Sequence, residues 1–109
     1  MSRIAETFSR VRKSGTPGLV TYVTAGDPDL RRTGEILTAI AAAGADVLEV
    51  GVPFSDPLAD GPVIQRATER AIHAGANLDR VLTLVASIVT VFSTLFGAWV
   101  GAWKNRRTG

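Results

Sequence analysis

The sequence lacks cysteine and has a single histidine, His73. Without cysteine there is no disulfide framework, no thiolate metal site and no cysteine nucleophile. One histidine is also too few for a metal centre built from histidines. Aromatic residues make up only 6% of the chain, but hydrophobic residues make up 46% and charged residues 20%. This composition excludes a disordered or collagen-like chain, and 109 residues suit at most one globular domain.

Acidic residues are absent from the C-terminal end, because all ten of them precede Arg80. The net charge of +2 therefore comes from Lys104, Arg106 and Arg107 at that end. No stripe of Lys and Arg interleaved with aromatic residues runs through the rest of the chain, as nucleic-acid binding would require. The sequence predicts no nucleic-acid partner.

The hydrophobic pattern predicts alternating helices and strands. Ile4, Phe8 and Val11 recur at helical spacing, and Gly15 ends this amphipathic helix, which lacks the apolar core of a signal peptide. Two short apolar segments rich in valine, at 18–25 and 45–52, predict buried strands, with a helix between them that Asp27 or Asp29 caps and Gly44 ends.

Two more helices are predicted beyond the second strand, one over residues 62–74 and one from Leu78 onward. Strand, helix, strand, loop and helix in this order are typical of right-handed parallel βαβ units. The predicted fold class is therefore α/β.

A carboxylate stands in the second predicted strand. Strand alternation places Glu49 opposite to the aliphatic side, so it points away from the helices, near the carboxyl end of a parallel strand. Asp56 and Asp60 follow in a loop that Pro53, Pro57 and Pro62 stiffen. The spacing allows Glu49 and Asp60 to face one cavity as two carboxylates with different acid–base roles, and it allows a salt-bridged structural Glu49 equally well. For Asp56 and Asp60 the spacing alone favours ordinary turn roles.

Several motifs together resemble one family. They are Ser2-Arg3-Ile4, Thr24-Ala25-Gly26-Asp27-Pro28, Ala43-Gly44-Ala45-Asp46, Leu48 to Gly61, and Gly61-Pro62-Val63-Ile64-Gln65. The sequence is similar in these segments, in register up to about Ala86, to the tryptophan synthase alpha chain family. The resemblance implies an incomplete TIM-type (β/α)₈ barrel that comprises the first two βα units, since a complete barrel takes about 250 residues.

The same resemblance implies a function in tryptophan biosynthesis. The family is a cytoplasmic lyase that cleaves indole-3-glycerol phosphate to indole and glyceraldehyde 3-phosphate in a retro-aldol step. It needs no cofactor of its own, since pyridoxal phosphate belongs to the tryptophan synthase beta chain, its partner in a heterotetramer. The implied site consists of Glu49 and Asp60 as catalytic residues, Tyr22 in the indole pocket, and Pro53, Asp56 and Pro57 at the partner interface, with no metal.

Beyond about Ala86 the resemblance ends, which predicts two parts, 1–86 as the (β/α) domain and 87–109 as an apolar tail with a basic end. Residues 81–103 carry no charge, and this length is enough to cross a bilayer. The alternative hypothesis is therefore a small membrane-associated or self-associating protein that works through residues 81–103. We expect the chain by itself to be inactive, because the later barrel loops that hold phosphate are absent from it.

Overall fold

The computed structural model describes residues 2–54 and 60–90. In chain order the elements are α1 (Arg3–Ser14), β1 (Val20–Thr24), α2 (Leu30–Ala42), β2 (Val47–Gly51), α3 (Pro62–His73) and α4 (Leu78–Thr90). Every predicted helix and strand is present, so the predicted α/β class is confirmed. The part of the predicted apolar tail that starts at residue 91 lies outside the described residues.

The helix ends follow from local hydrogen bonds. Ser2 caps α1 by accepting from the amide of Ala5, and α1 ends before Gly15 as predicted. Of the two candidate caps of α2, Asp29 is the one used, because its carboxylate accepts from the amide of Arg32 at 2.8 Å. Asn77 accepts from the amide of Arg80 at 2.9 Å at the start of α4.

The two strands form a parallel pair, in which Val20 lies opposite Val47 and Thr24 opposite Gly51. Both are shorter than the predicted strands 18–25 and 45–52. Just before the two strands begin, the Leu19 amide donates to the side chain of Asp46 at 2.8 Å. The same carboxylate pairs with Arg10 of α1 at 3.8 Å. This contact ties α1 to the amino ends of the strands.

The core lies between the helices and one face of the sheet. Leu37 of α2 is 2% exposed and Val81 of α4 is 1% exposed, while Ala71 of α3 and Ala25 after β1 are fully buried. Both α2 and α3 contact β1. One face of the sheet is thus covered by helices, as expected of βαβ units.

The connection after β2 contains two helices at a sharp angle, since α3 and α4 are bent by 96°. Helix α4 approaches α2 closely at Gly34, where an added Cβ would lie 3.3 Å from the side chain of Leu84. Helix α3 instead lies against the turn that follows β1, where a Cβ on Gly26 would lie 2.5 Å from the Cβ of Ala76 and 3.1 Å from that of Ala71. The C-terminal end of α3 therefore adjoins the turn at the carboxyl end of β1.

Candidate active site

The sheet face that the helices leave open carries two of the predicted site residues. Tyr22 and Glu49 are directly paired across β1 and β2 and therefore lie on the same face. Glu49 is exposed and Tyr22 is 45% exposed. Glu49 thus lies on the sheet face that the helices leave open, as the alternation of the strand predicts.

Tyr22 also reaches over the neighbouring residue pair. A Cβ on Gly51 would lie 2.6 Å from the Cζ of Tyr22 and closer still to its hydroxyl oxygen. The absence of a side chain at Gly51 therefore makes the room in which the Tyr22 ring lies beside Glu49. Sequence reasoning missed this role of Gly51, although a glycine on the Glu49 face of an aliphatic strand was a usable signal of close approach.

Asp60, the second predicted catalytic residue, is exposed and precedes α3. Gly61 has a φ of 80°, which glycine adopts without steric cost, and Pro62, whose ring fixes φ, occupies the first turn of α3. Asp60 therefore lies two residues before this proline, which is the first residue of the helix. Among the predicted interface residues, Pro53 is buried beyond the end of β2. Asp56 and Pro57 lie outside the described residues.

A buried hydroxyl organises the turn after β1. The Thr33 hydroxyl accepts from the amide of Gly26 at 2.9 Å and donates to the carbonyl of Asp29 at 2.8 Å. Thr33 is fully buried, and its hydroxyl is the acceptor for the Gly26 amide, whereas the Asp29 carbonyl also accepts from the Thr33 amide at 3.0 Å. Sequence reasoning missed this residue, because a threonine inside an amphipathic helix carries no pattern that distinguishes it from a surface threonine.

Asp27, which was a candidate cap for α2, has a different partner. Its carboxylate accepts two hydrogen bonds from the guanidinium of Arg70 on α3, at 2.9 and 3.0 Å. This hydrogen bond, together with the nearby charge of Asp27, raises the pKa of Arg70 above its ordinary value. The arginine fork and the carboxylate match in geometry, so the pair fixes direction as well as distance.

Other kinds of site are not found in the described ranges. No group of three or more His, Cys, Asp or Glu side chains could hold a metal ion in the part of the chain that the structure describes. Between residues 2 and 90, apart from the gap at 55–59, no single helix is both long and apolar enough to cross a bilayer. Only α3 and α4 taken together reach that length and composition, despite the 96° bend between them.

The protein-family profile described as "Tryptophan synthase alpha chain" matches residues 8–94 of this chain. Curated alpha chains are also similar. That of Burkholderia multivorans is 57% identical over 82 residues, which make up 75% of this chain and 30% of the relative. That of Geotalea uraniireducens is 54% identical over 85 residues, or 78% of this chain and 32% of the relative. The chain thus spans about a third of the length of these relatives.

Solved structures agree with this similarity. The tryptophan synthase subunit alpha of Legionella pneumophila str. Paris superposes with a TM-score of 0.79 and 42% identity, covering 86% of this chain and 35% of that one. Tryptophan synthase from M. tuberculosis in its aminoacrylate-bound form gives a TM-score of 0.77 and 36% identity, covering 84% of this chain and 37% of that one. The fold is therefore part of the barrel of this family, and the chain belongs to the tryptophan synthase alpha chain family.

Proposed function

We propose that this chain carries the acid–base part of the lyase site that cleaves indole-3-glycerol phosphate to indole and glyceraldehyde 3-phosphate. The observation that supports it most directly is the pairing of Glu49 with Tyr22 on the open face of the sheet. Asp60 belongs to the loop that follows the same strand. Barrel enzymes place their catalytic groups at this carboxyl end of the strands.

In the proposed reaction Glu49 moves the protons. As the carboxylic acid it donates a proton to the indole carbon that bears the glycerol side chain, and Asp60 accepts the hydrogen bond of the ring N–H and stabilises the positive charge. The Glu49 carboxylate then takes the proton of the adjacent side-chain hydroxyl. The carbon–carbon bond breaks, its electron pair returns to the ring, and the hydroxyl carbon becomes the aldehyde. Glu49 ends the cycle protonated, as it began.

Tyr22 has a binding role in this proposal. Its ring, held over Gly51 beside Glu49, offers an apolar surface of suitable size for the indole. No group in this sequence of steps requires a cofactor. The proposal includes the family's cytoplasmic location and its beta chain partner, which would contact the loop at Pro53, Asp56 and Pro57.

The test of this proposal must supply the part of the barrel that the relatives have beyond the matched segment. Because this chain spans about a third of their length, residues 1–86 are to be joined to the corresponding continuation of the Burkholderia multivorans alpha chain. We expect this chimera to cleave indole-3-glycerol phosphate and the chain alone to show no turnover above background, because effective positioning accounts for about 7 to 11 kcal/mol of a barrier.

Glu49→Gln in the chimera should lower kcat by about 10²- to 10⁴-fold, the usual contribution of a positioned acid–base group. Glu35→Gln is the matched control, since Glu35 is an exposed carboxylate on α2. Asp60→Asn should lose less activity than Glu49→Gln, because an amide oxygen still accepts the indole N–H. Undiminished turnover by the Glu49→Gln chimera would refute the assignment.

We also propose that residues 87–109 do not belong to the catalytic unit. The structure describes α4 as far as Thr90, so the test removes residues 91–109 and keeps every described residue of this helix. These residues include Phe92, Phe96, Trp99 and Trp103 and no acidic residue, and we expect their removal to raise the soluble fraction of the expressed chain. A lower soluble fraction would mean that the tail protects the barrel segment, contrary to the proposed division.

A further inference from the structure

Helix α3 is attached to the turn after β1 by two kinds of contact. One is packing, in which Ala71 and the nearby Ala76 adjoin Gly26 without room for a side chain there. The other is the pair of hydrogen bonds from Arg70 to Asp27. Both contacts lie near the C-terminal end of α3, which ends at His73.

The opposite end of α3 carries Asp60. The amide of Gln65 donates to the carbonyl of Gly61 at 3.0 Å, so the helical hydrogen bonding begins directly after Asp60. A helix of 12 residues is about 18 Å long and behaves as a rod. A change of direction at the Arg70 end therefore displaces Asp60 at the other end.

The packing contact alone leaves this direction loosely defined. The buried residues of α3 are Ala67, Thr68 and Ala71, which are small and present a smooth surface. Small side chains permit close approach but offer little that interlocks against rotation. The two hydrogen bonds between the planar guanidinium and the carboxylate are directional, and Asp27 is only 21% exposed at its side chain, so its position is well defined.

We propose that Asp27 and Arg70 are positioning residues, which set the direction of α3 and thereby the place of Asp60 relative to Glu49. The inference rests on the proposed function for the role of Asp60 but not for the geometry. Neither residue touches the substrate in this proposal. They act on Asp60 through the rod that α3 forms.

The geometric test uses the full chain, whose lack of cysteine allows spin labels at introduced sites alone. Val63→Cys, at a position in the first turn of α3 that is 78% exposed, and Ala43→Cys, at an exposed position after α2, carry the two labels. The distance between the labels reports the direction of α3. A rotation of about 15° about the far end of α3 would move the backbone at position 63 by about 4 Å. Double electron–electron resonance, which measures the distance between two spin labels, resolves a shift of this size.

Arg70→Met should shift or broaden this distance, and Arg70→Lys should do so less, since lysine retains the charge but not the fork. Asp27→Asn combined with Arg70→Met should change it no more than Arg70→Met alone. Arg66→Met, at another exposed arginine of α3, is the control that should change nothing. An unchanged distance in folded Arg70→Met, or additive effects of the two substitutions, would overturn the proposal. If Arg70→Met fails to fold, an unchanged distance in Arg70→Lys has the same consequence.

The functional readout is kcat/KM of the chimera. Arg70→Met should lower it by about tenfold to a hundredfold, the size expected of a misplaced catalytic group, and should lower it no further in the Asp60→Asn background. A full additional loss in that background would overturn the positioning role. Failure of the proposed function is recognised separately, as activity that survives Glu49→Gln while the label distances still respond to Arg70→Met.

Discussion

The two faces of the sheet differ in solvent exposure, because helices pack against one face and leave the other open. The face covered by helices belongs to a core in which Leu37, Ala71 and Val81 are almost without solvent exposure. On the open face Val20 is 52% exposed and Tyr22 45% exposed. The first face accounts for the stability of this segment, whereas the second holds the groups of the proposed reaction.

This difference has a simple physical cause. A helix that follows a strand returns across one face of the sheet, so local connections cover that face. The opposite face of a barrel is enclosed only by other strands that are distant in sequence. The segment therefore builds its core from its own helices but exposes Glu49 and Tyr22. The predictions that follow test this division of roles.

The largest effect on stability is expected on the covered face. Leu37→Ala should lower the free energy of unfolding by about 2–5 kcal/mol, because it leaves a cavity in the core. Urea unfolding followed by far-UV circular dichroism measures this loss. Ile36→Ala is the control, since Ile36 is 36% exposed and should cost less than about 1.5 kcal/mol. Equal losses from the two variants would show that the helices do not form the core described.

A smaller loss is expected from the polar contact at the carboxyl edge of the sheet. Thr33→Val removes the hydroxyl that binds the Gly26 amide, and the buried amide then lacks an acceptor. We expect about 1–3 kcal/mol less stability in the same unfolding measurement. Thr38→Val, which removes an exposed hydroxyl bonded to the Gly34 carbonyl, should change stability by less than about 0.5 kcal/mol. A neutral Thr33→Val would mean that water replaces the hydroxyl.

The smallest change in stability is expected on the open face. Gly51→Ala should displace the exposed Tyr22 ring, which is free to rotate away, and should alter stability by less than about 0.5 kcal/mol. The ring resonances of Tyr22 in NMR spectra report the movement. Once Tyr22→Ala has removed the ring, Gly51→Ala should change the spectrum around β1 less than it does with the ring present. Unmoved Tyr22 resonances would show that the ring does not occupy the space over Gly51.

The secondary structure could be predicted from the residues themselves, whereas the roles of the site residues could not. Periodicity and punctuation by glycine and proline suffice for the elements, since Gly15 ends α1 and Pro62 opens α3 as predicted. Alternation in β2 is likewise sufficient to separate Glu49 from the aliphatic side. The roles of Glu49, Asp60 and Tyr22 came from the family resemblance and stay predictions, as does the division at residue 86, which α4 crosses without a break.

Contacts between residues distant in sequence required the tertiary structure. Asp27 and Asp29 are both suitable caps by type and position, and only the approach of Arg70, 43 residues away, gives Asp27 another partner. The room for Tyr22 over Gly51 depends on the register of two strands, which no local pattern specifies. The sequence by itself determined the helices, the strands and the sides of β2, because hydrophobic period and backbone preference act over neighbouring residues. The tertiary structure decided which polar groups meet, because their partners are brought together by packing.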